Sequence, residues 1–411
     1  METLDRFLYA ATLVAISVTC SCADRDRNNP FDPLNPNTGG SPYLFEAIAD
    51  NGRAHLSWSV EELLDLEGFT LIRTAIDGSD SDSARYNFGL GRTSFTDTDL
   101  SNSITYLYEL AFVFDGMPAW TNNDTVTPGS TIPWVLDGYA GVVTRLSPDG
   151  RDRAATFMMS SVFSDLDVVE SNGTAWVADY FNKQVFHVDK DGKLLDEITL
   201  TGYPVSIAID DSRARVWISQ SSPGSIVRLT AGAIDTTYEI EDYPLSLSVD
   251  EERGTLWASS SRGGWVMKMD DSGMHFTNGF ISPMDIEFDP VSRTTWVACA
   301  TEVVSLTREF EVILRKDGFN LPSGIAVDHT RGIVWIADTG NARIVKISQD
   351  GNILITVYGF NEPYAIAVDV DREEVWVTDS YSGEVVRVSG EGRILKRKGG
   401  FLSPFGVGII P

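Results

Sequence analysis

Apolar and polar residues alternate along most of this chain in short runs, the period of a strand with one buried face. Ala54-His55-Leu56-Ser57-Trp58, Phe69-Thr70-Leu71-Ile72 and the stretch 105–112 (TYLYELAF) all alternate. Clusters of Asp, Gly, Ser and Asn separate them, and no apolar stripe of helical period has useful length. Residues 42–128 therefore predict an N-terminal β-sandwich of short strands. From residue 130 onward the pattern repeats. Tryptophan recurs at 134, 176, 217, 257, 296, 335 and 376, at spacings of 39 to 42. Pro204, Pro244, Pro283, Pro322 and Pro363 each stand thirteen residues ahead of a tryptophan, and Phe163 takes that place before Trp176. Each opens an apolar strand, as in Pro322-Ser323-Gly324-Ile325-Ala326-Val327-Asp328. A turn leads to the tryptophan strand at 334–338, a third strand follows at 343–347, and Gln349-Asp350-Gly351 turns into a fourth.

Four strands per period of about 40, with Asp and Gly at the turns, define the blade of a β-propeller. The repeat resembles the NHL type, and more loosely the TolB-like and YVTN-like propellers. Residues 321–351 match it closely and 363–392 nearly as well. Trp134 lacks a proline strand before it, while Pro404-Phe405-Gly406-Val407-Gly408-Ile409-Ile410 is a proline strand with no tryptophan strand after it. Joining the two gives an all-β chain: the sandwich, then a seven-bladed β-propeller at 130–411 closed by the C-terminal strand, which leaves no free sheet edge in the ring. Propellers of the NHL type more often have six blades. The sandwich resembles a fibronectin type III domain through Trp58, Thr93-Ser94-Phe95-Thr96-Asp97 and Tyr106-Leu107-Tyr108-Glu109-Leu110-Ala111, with Leu110 where that family has valine. The resemblance implies a spacer, with binding as its other role.

Phe7 to Thr19 is an uncharged, mostly apolar run ending at Cys20-Ser21-Cys22. It is short for a membrane span and has the length of a signal-peptide core. Residues 1–22 resemble a bacterial lipoprotein signal, which implies a lipid on Cys22 or on Cys20; a plain secretory signal or an uncleaved anchor is the other reading. Residues 23–41, with three prolines and almost no apolar side chains, read as a disordered tether. The expected location is exported, at the outer membrane or cell surface or in the periplasm, with the lipid as the sole membrane contact.

Charge narrows the partners. With 59 acidic against 32 basic residues the chain carries −27, which argues against nucleic acid and anionic lipid headgroups and favours a soluble monomer. Three cysteines cannot build a disulfide framework or a four-cysteine zinc site, and Cys299 reads as a buried thiol. There is no HExxH, no GxSxG elbow, no phosphate loop and no dinucleotide fingerprint. Asp210, Asp250, Asp289, Asp328 and Asp369, together with Asp137, Asp179, Asp338 and Asp379, fit turn caps.

Two places are left for function. In a propeller of this connectivity, the loops entering the innermost strands and those leaving the tryptophan strands share one face. Tyr203, Tyr243, Phe280, Asn320, Asn361 and Phe401 fall on the entering loops, and Tyr139, Tyr180, Phe181, Asn182, Arg262, Asn341 and Tyr381 on the leaving ones. Aromatics interleaved with Asn suit a protein or carbohydrate ligand; packing of the loop bases is the alternative. The channel is the second place. Innermost strands carry mostly small residues there, but two carry Asp165 with Asp167 and Asp285 with Glu287. These oxygens either bind a hard cation such as Ca²⁺ or accept hydrogen bonds from neighbouring strands; no other cofactor is expected. A binding or scaffold protein is the favoured class. The alternative is an enzyme similar to propeller lactonases or lyases, which hold a metal at the channel mouth.

Overall fold

The computed structural model describes residues 45–59, 66–76, 83–150, 153–159 and 162–410. The expected signal with Cys20 and Cys22, and the tether at 23–41, lie outside the described residues.

The described chain is all-β apart from two single-turn 3-10 helices. Its first part holds two antiparallel sheets. Phe45–Asp50, Arg53–Trp58 and Ser94–Asp97 form one; Ser83–Gly89, Leu66–Ala75, Tyr106–Phe114 and Met117–Val126 form the other. The inward positions of both sheets, among them Leu56, Trp58, Phe69, Leu71, Tyr108 and Phe112, fill one core. A buried acid sits inside it: Asp97 accepts hydrogen bonds from Tyr86 (2.9 Å), Tyr108 (2.8 Å) and Arg73 (3.1 Å). Pairing with the guanidinium and two hydroxyls offsets the cost of burying that carboxylate.

Seven four-stranded antiparallel sheets follow among the described residues, each named here by its tryptophan. In six, the strands succeed one another from the innermost outward, as in Phe163–Val169, Thr174–Asp179, Gln184–Val188 and Leu194–Thr199. The Trp134 sheet differs. Its Ile132–Asp137, Val142–Leu146 and Arg153–Met158 are completed on the inner side by Pro404–Ile410, with Gly408 opposite Trp134. Each innermost strand touches the next, from Phe163–Val169 around to Pro404–Ile410 and back, so the seven form a closed circle. Pro404–Ile410 thus supplies the inner edge of the Trp134 sheet.

The tryptophans hold neighbours together. All seven are at most 4% exposed. Trp176 packs with Ile207 and Ile218 of the next sheet, Trp335 with Ile366 and Val375, and Trp376 with Val135 and Ile409 across the seam. Five of the indole N–H groups have no hydrogen-bond partner among the described residues, so these rings act through area. The cross-strand partner of the tryptophan is basic in six sheets: Arg145, His187, Arg228, Lys268, Lys346 and Arg387; in the seventh it is Ser305. His187 stacks on Trp176 at 4.6 Å, and Arg228 and Lys346 lie over their indoles at 5.4 and 5.3 Å. The same side chains reach onward. Lys268 donates to the Arg308 carbonyl (2.6 Å), Lys346 to that of Gly390 (2.8 Å) and Arg387 to that of Asp149 (2.6 Å), each in the next sheet.

Candidate functional site

The face formed by the loops entering innermost strands and leaving tryptophan strands is built on buried aspartates. Asp137 accepts from the backbone N–H groups of Leu402 and Ser403, Asp338 from that of Asn320, and Asp379 from those of Asn361 and Glu362. Asp179 instead binds Asn182 through its backbone and its side chain, each at 3.0 Å. The side chain of Asn341 donates to Asp338 at 2.9 Å. Asn182 and Asn341, expected to meet a ligand, are thus held as loop braces. In the Trp217 sheet Gln220 takes the aspartate position and receives the Gly202 N–H.

Aromatic residues on this face divide into two groups. Tyr180 stacks on Tyr203 at 5.2 Å and meets Phe181 edge-on at 5.3 Å, with the Lys183 ammonium 4.4 Å from the Tyr203 ring. Tyr180, Tyr203 and Tyr243 are half-buried and shape the loops. Phe280 and Phe401, expected at the surface, are buried in the sheets. The residue after each points outward instead. Tyr139, Phe181, Ile281, Leu321, Tyr381 and Leu402 are 54–81% exposed, distributed over five of the seven sheets. Ile281, Leu321 and Leu402 are aliphatic, and no ring or amide marks them in the sequence as surface contacts.

Between the Trp335 and Trp376 sheets this face opens into a groove of about 500 Å³ lined by Leu321, Thr339, Gly340, Asn361, Glu362 and Tyr381. The Thr339 hydroxyl donates to the Pro363 carbonyl at 2.6 Å, and the Asn361 amide to Ser382 at 2.7 Å. Tyr381 makes no ring contact or side-chain hydrogen bond among the described residues.

The opposite face is charged and internally paired. Arg213 donates to the Glu251 carbonyl (2.6 Å), Arg331 to that of Val370 (2.8 Å) and to Glu373 (2.8 Å), and Arg372 to that of Pro148 (2.6 Å). Each bond crosses to the adjacent sheet. A hollow of about 320 Å³ here is lined by Asp250, Lys268, Asp270 and Arg308 among others, and Arg308 is already paired with Asp250 at 2.6 Å and Glu252 at 2.8 Å. The N-terminal part joins on this side: Thr131 donates to Asp369 (2.6 Å), and the Pro128 carbonyl accepts from Ser103 (2.8 Å) and Arg372 (3.4 Å).

In the channel, three carboxylates join neighbouring innermost strands. Asp165 accepts the N–H of Ile207 at 2.8 Å, Asp167 that of Ile209 at 2.9 Å, and Asp285 that of Ile325 at 2.8 Å together with the Ser246 hydroxyl at 2.6 Å. Ser248 does the same for Phe288 at 3.0 Å. Burial pushes Asp165 and Asp167 up to about 7, against the lowering effect of their backbone donors. Burial, reinforced by Asp285 and Asp167, raises Glu287 well above the usual carboxylate range. Among the described residues no group of three or more His, Cys, Asp or Glu is placed to hold a metal ion.

Comparison with known proteins agrees with the architecture. The NHL repeat model matches residues 319–347. No curated protein matches the chain. A functionally unknown protein from Desulfotomaculum acetoxidans DSM 771 is 13% identical with a TM-score of 0.60, over 68% of this chain and 99% of that one. The dihydro-heme d1 dehydrogenase NirN, in complex with DHE, is 13% identical with a TM-score of 0.52, over 65% of this chain and 63% of that one. At such identities the likeness is one of fold. The chain carries a β-propeller with at least one NHL repeat.

Proposed function

We propose that this is an exported, lipid-anchored scaffold whose propeller binds a protein through its aromatic and aliphatic face. In this reading residues 1–22 are the lipoprotein signal, Cys22 or Cys20 carries the lipid, 23–41 is the tether and 42–128 is a fibronectin-like spacer. Residues 130–411 form a seven-bladed NHL-type ring acting as a monomer. One observation carries the binding assignment: the two faces are unequal. The charged face satisfies its own charges between sheets, while the other leaves large apolar side chains in water on five sheets. Surfaces of that kind mark interaction sites. Aliphatic side chains favour a protein over a carbohydrate, because sugars stack on rings and gain little from Ile or Leu. Binding is also favoured over catalysis, since Asp165, Asp167 and Asp285 are occupied in joining strands.

The test is crosslinking with the full-length protein at its native location. A variant with Phe181→Ser, Tyr381→Ala and Leu402→Ser keeps the wild-type melting temperature and loses the wild-type crosslinked partner. An identical crosslinking pattern refutes the face. Labelling with an alkynyl fatty acid, compared among wild type, Cys20→Ala and Cys22→Ala, tests the anchor.

A further inference from the structure

Resting on that reading of the face, we propose that the groove between the Trp335 and Trp376 sheets is the specificity site, and that it takes a basic side chain flanked by apolar ones in an extended segment of the partner protein.

The free chemistry of the groove is narrow. Its polar groups are occupied internally, Thr339 by Pro363, the Asn361 amide by Ser382, and the Gly340 carbonyl by Asn320. The Tyr381 hydroxyl and the Glu362 carboxylate stand apart, and of the two only Glu362 carries charge. Its N–H is held by Asp379 at 2.8 Å and its carbonyl accepts from Ser380 at 3.0 Å. The backbone is thereby fixed, while the exposed carboxylate has neither hydrogen bond nor ion pair among the described residues. A placed, unpaired anion on a short rigid loop suits an ammonium or guanidinium.

The walls are apolar and free. Tyr381 is 81% exposed, and a cation whose head reaches Glu362 lays its stem along such a ring. Leu321 has φ of +47°, a conformation that β-carbon sterics disfavour, and its N–H is pinned to the Ala300 carbonyl at 2.7 Å. The fold thus holds a leucine in the left-handed turn that Ser282 also adopts one sheet earlier, and points it into solvent. It would pack against the apolar neighbour of the basic residue. A volume of about 500 Å³ is of the order of a few side chains, which is a short segment and not a whole surface.

Other ligand classes fit less well. A glycan needs several free donors and acceptors for its hydroxyls, and here the Thr339 hydroxyl and the Gly340 carbonyl are already taken. A phosphate would meet Glu362 with no cation beside it. The total charge of −27 adds long-range attraction for a basic partner, felt mainly in the association rate.

A random-peptide phage library panned on the full-length protein tests this, followed by fluorescence anisotropy with the selected peptide. The expected selection is Lys or Arg next to Leu, Ile, Val or Phe. Glu362→Lys should weaken that peptide roughly tenfold or more, and Leu321→Gly and Tyr381→Ala should each weaken it severalfold, with circular dichroism unchanged. Leu321→Gly is informative because glycine relieves the backbone, so lost binding cannot be ascribed to misfolding. Selection of acidic or uncharged peptides, or no selection, overturns the proposal. Binding that falls with Phe181→Ser but ignores Glu362→Lys overturns the groove and leaves the face standing. Glycan-array binding that is lost in Tyr381→Ala overturns the choice of a protein partner.

Discussion

Asp338 shows how much one side chain organises. Fully buried, it receives the Asn320 backbone N–H (2.8 Å), the Asn341 amide (2.9 Å) and the Arg343 guanidinium (2.7 Å). Asp338→Ala leaves these donors unpaired and should cost about 2–4 kcal/mol, read as a shift of the denaturation midpoint. Tyr381→Ala removes a ring that is 81% exposed and should stay within about 0.5 kcal/mol of wild type in the same measurement. The channel gives a pH dependence of opposite sign to the usual carboxylate. Asp165 and Asp167 titrate near 7 when folded and near ~4 when unfolded. Their contribution is therefore fully present below the unfolded value and is lost as pH rises through about 7. Asp165→Asn with Asp167→Asn should flatten the decline of melting temperature between about pH 4 and 7; an unchanged slope would show that these groups are not what titrates.

At the scale of strands and loops, the sheets were legible because each repeats one buried ring at a fixed place. Tryptophan at that spacing locates the second strand, and the proline locates the first. Truncation of residues 402–411 removes the inner strand of the Trp134 sheet and the donors to Asp137. It should lower the melting temperature sharply, and an unchanged transition would sink the closure. Loop surfaces were less legible for a physical reason. Strand alternation tells inside from outside only while the backbone stays extended, and these loops contain reversals such as Gly279 at φ +98° and Gly400 at φ +94°. After a reversal the parity shifts, which is why Phe280 and Phe401 went inward and Ile281 and Leu402 outward. The basic residues over the indoles were missed too, because opposition across a sheet depends on register, which a single strand does not display. The Trp296 sheet has Ser305 at that place, 1% exposed, so Ser305→Lys forces an ammonium into a closed site and should lower the denaturation midpoint.

At the scale of the whole molecule, the chain enters the ring on the charged side, beside Arg372 and Asp369, so the apolar face points away from the N-terminal sheets. Screening by salt should slow association with a basic partner, with Debye lengths shrinking from about 10 Å at 0.1 M to about 3 Å at 1 M; stopped-flow rates that ignore salt would show that the field plays no part. The seam has a further consequence. Ser403 meets Asp137 across 266 positions of chain, and Ile132–Asp137 waits for Pro404–Ile410 before its inner edge is covered. During synthesis the Trp134 sheet is thus the first of the seven to emerge and the last to be finished. Until Pro404–Ile410 is made, the nascent ring has an open, hydrogen-bond-hungry edge at its start, long-range pairing of this kind being slow to form. Its biogenesis therefore depends on whatever shields that edge until Pro404–Ile410 has emerged, and ribosomes that stop before that strand would release chains with the other six sheets in place and a sticky gap between them.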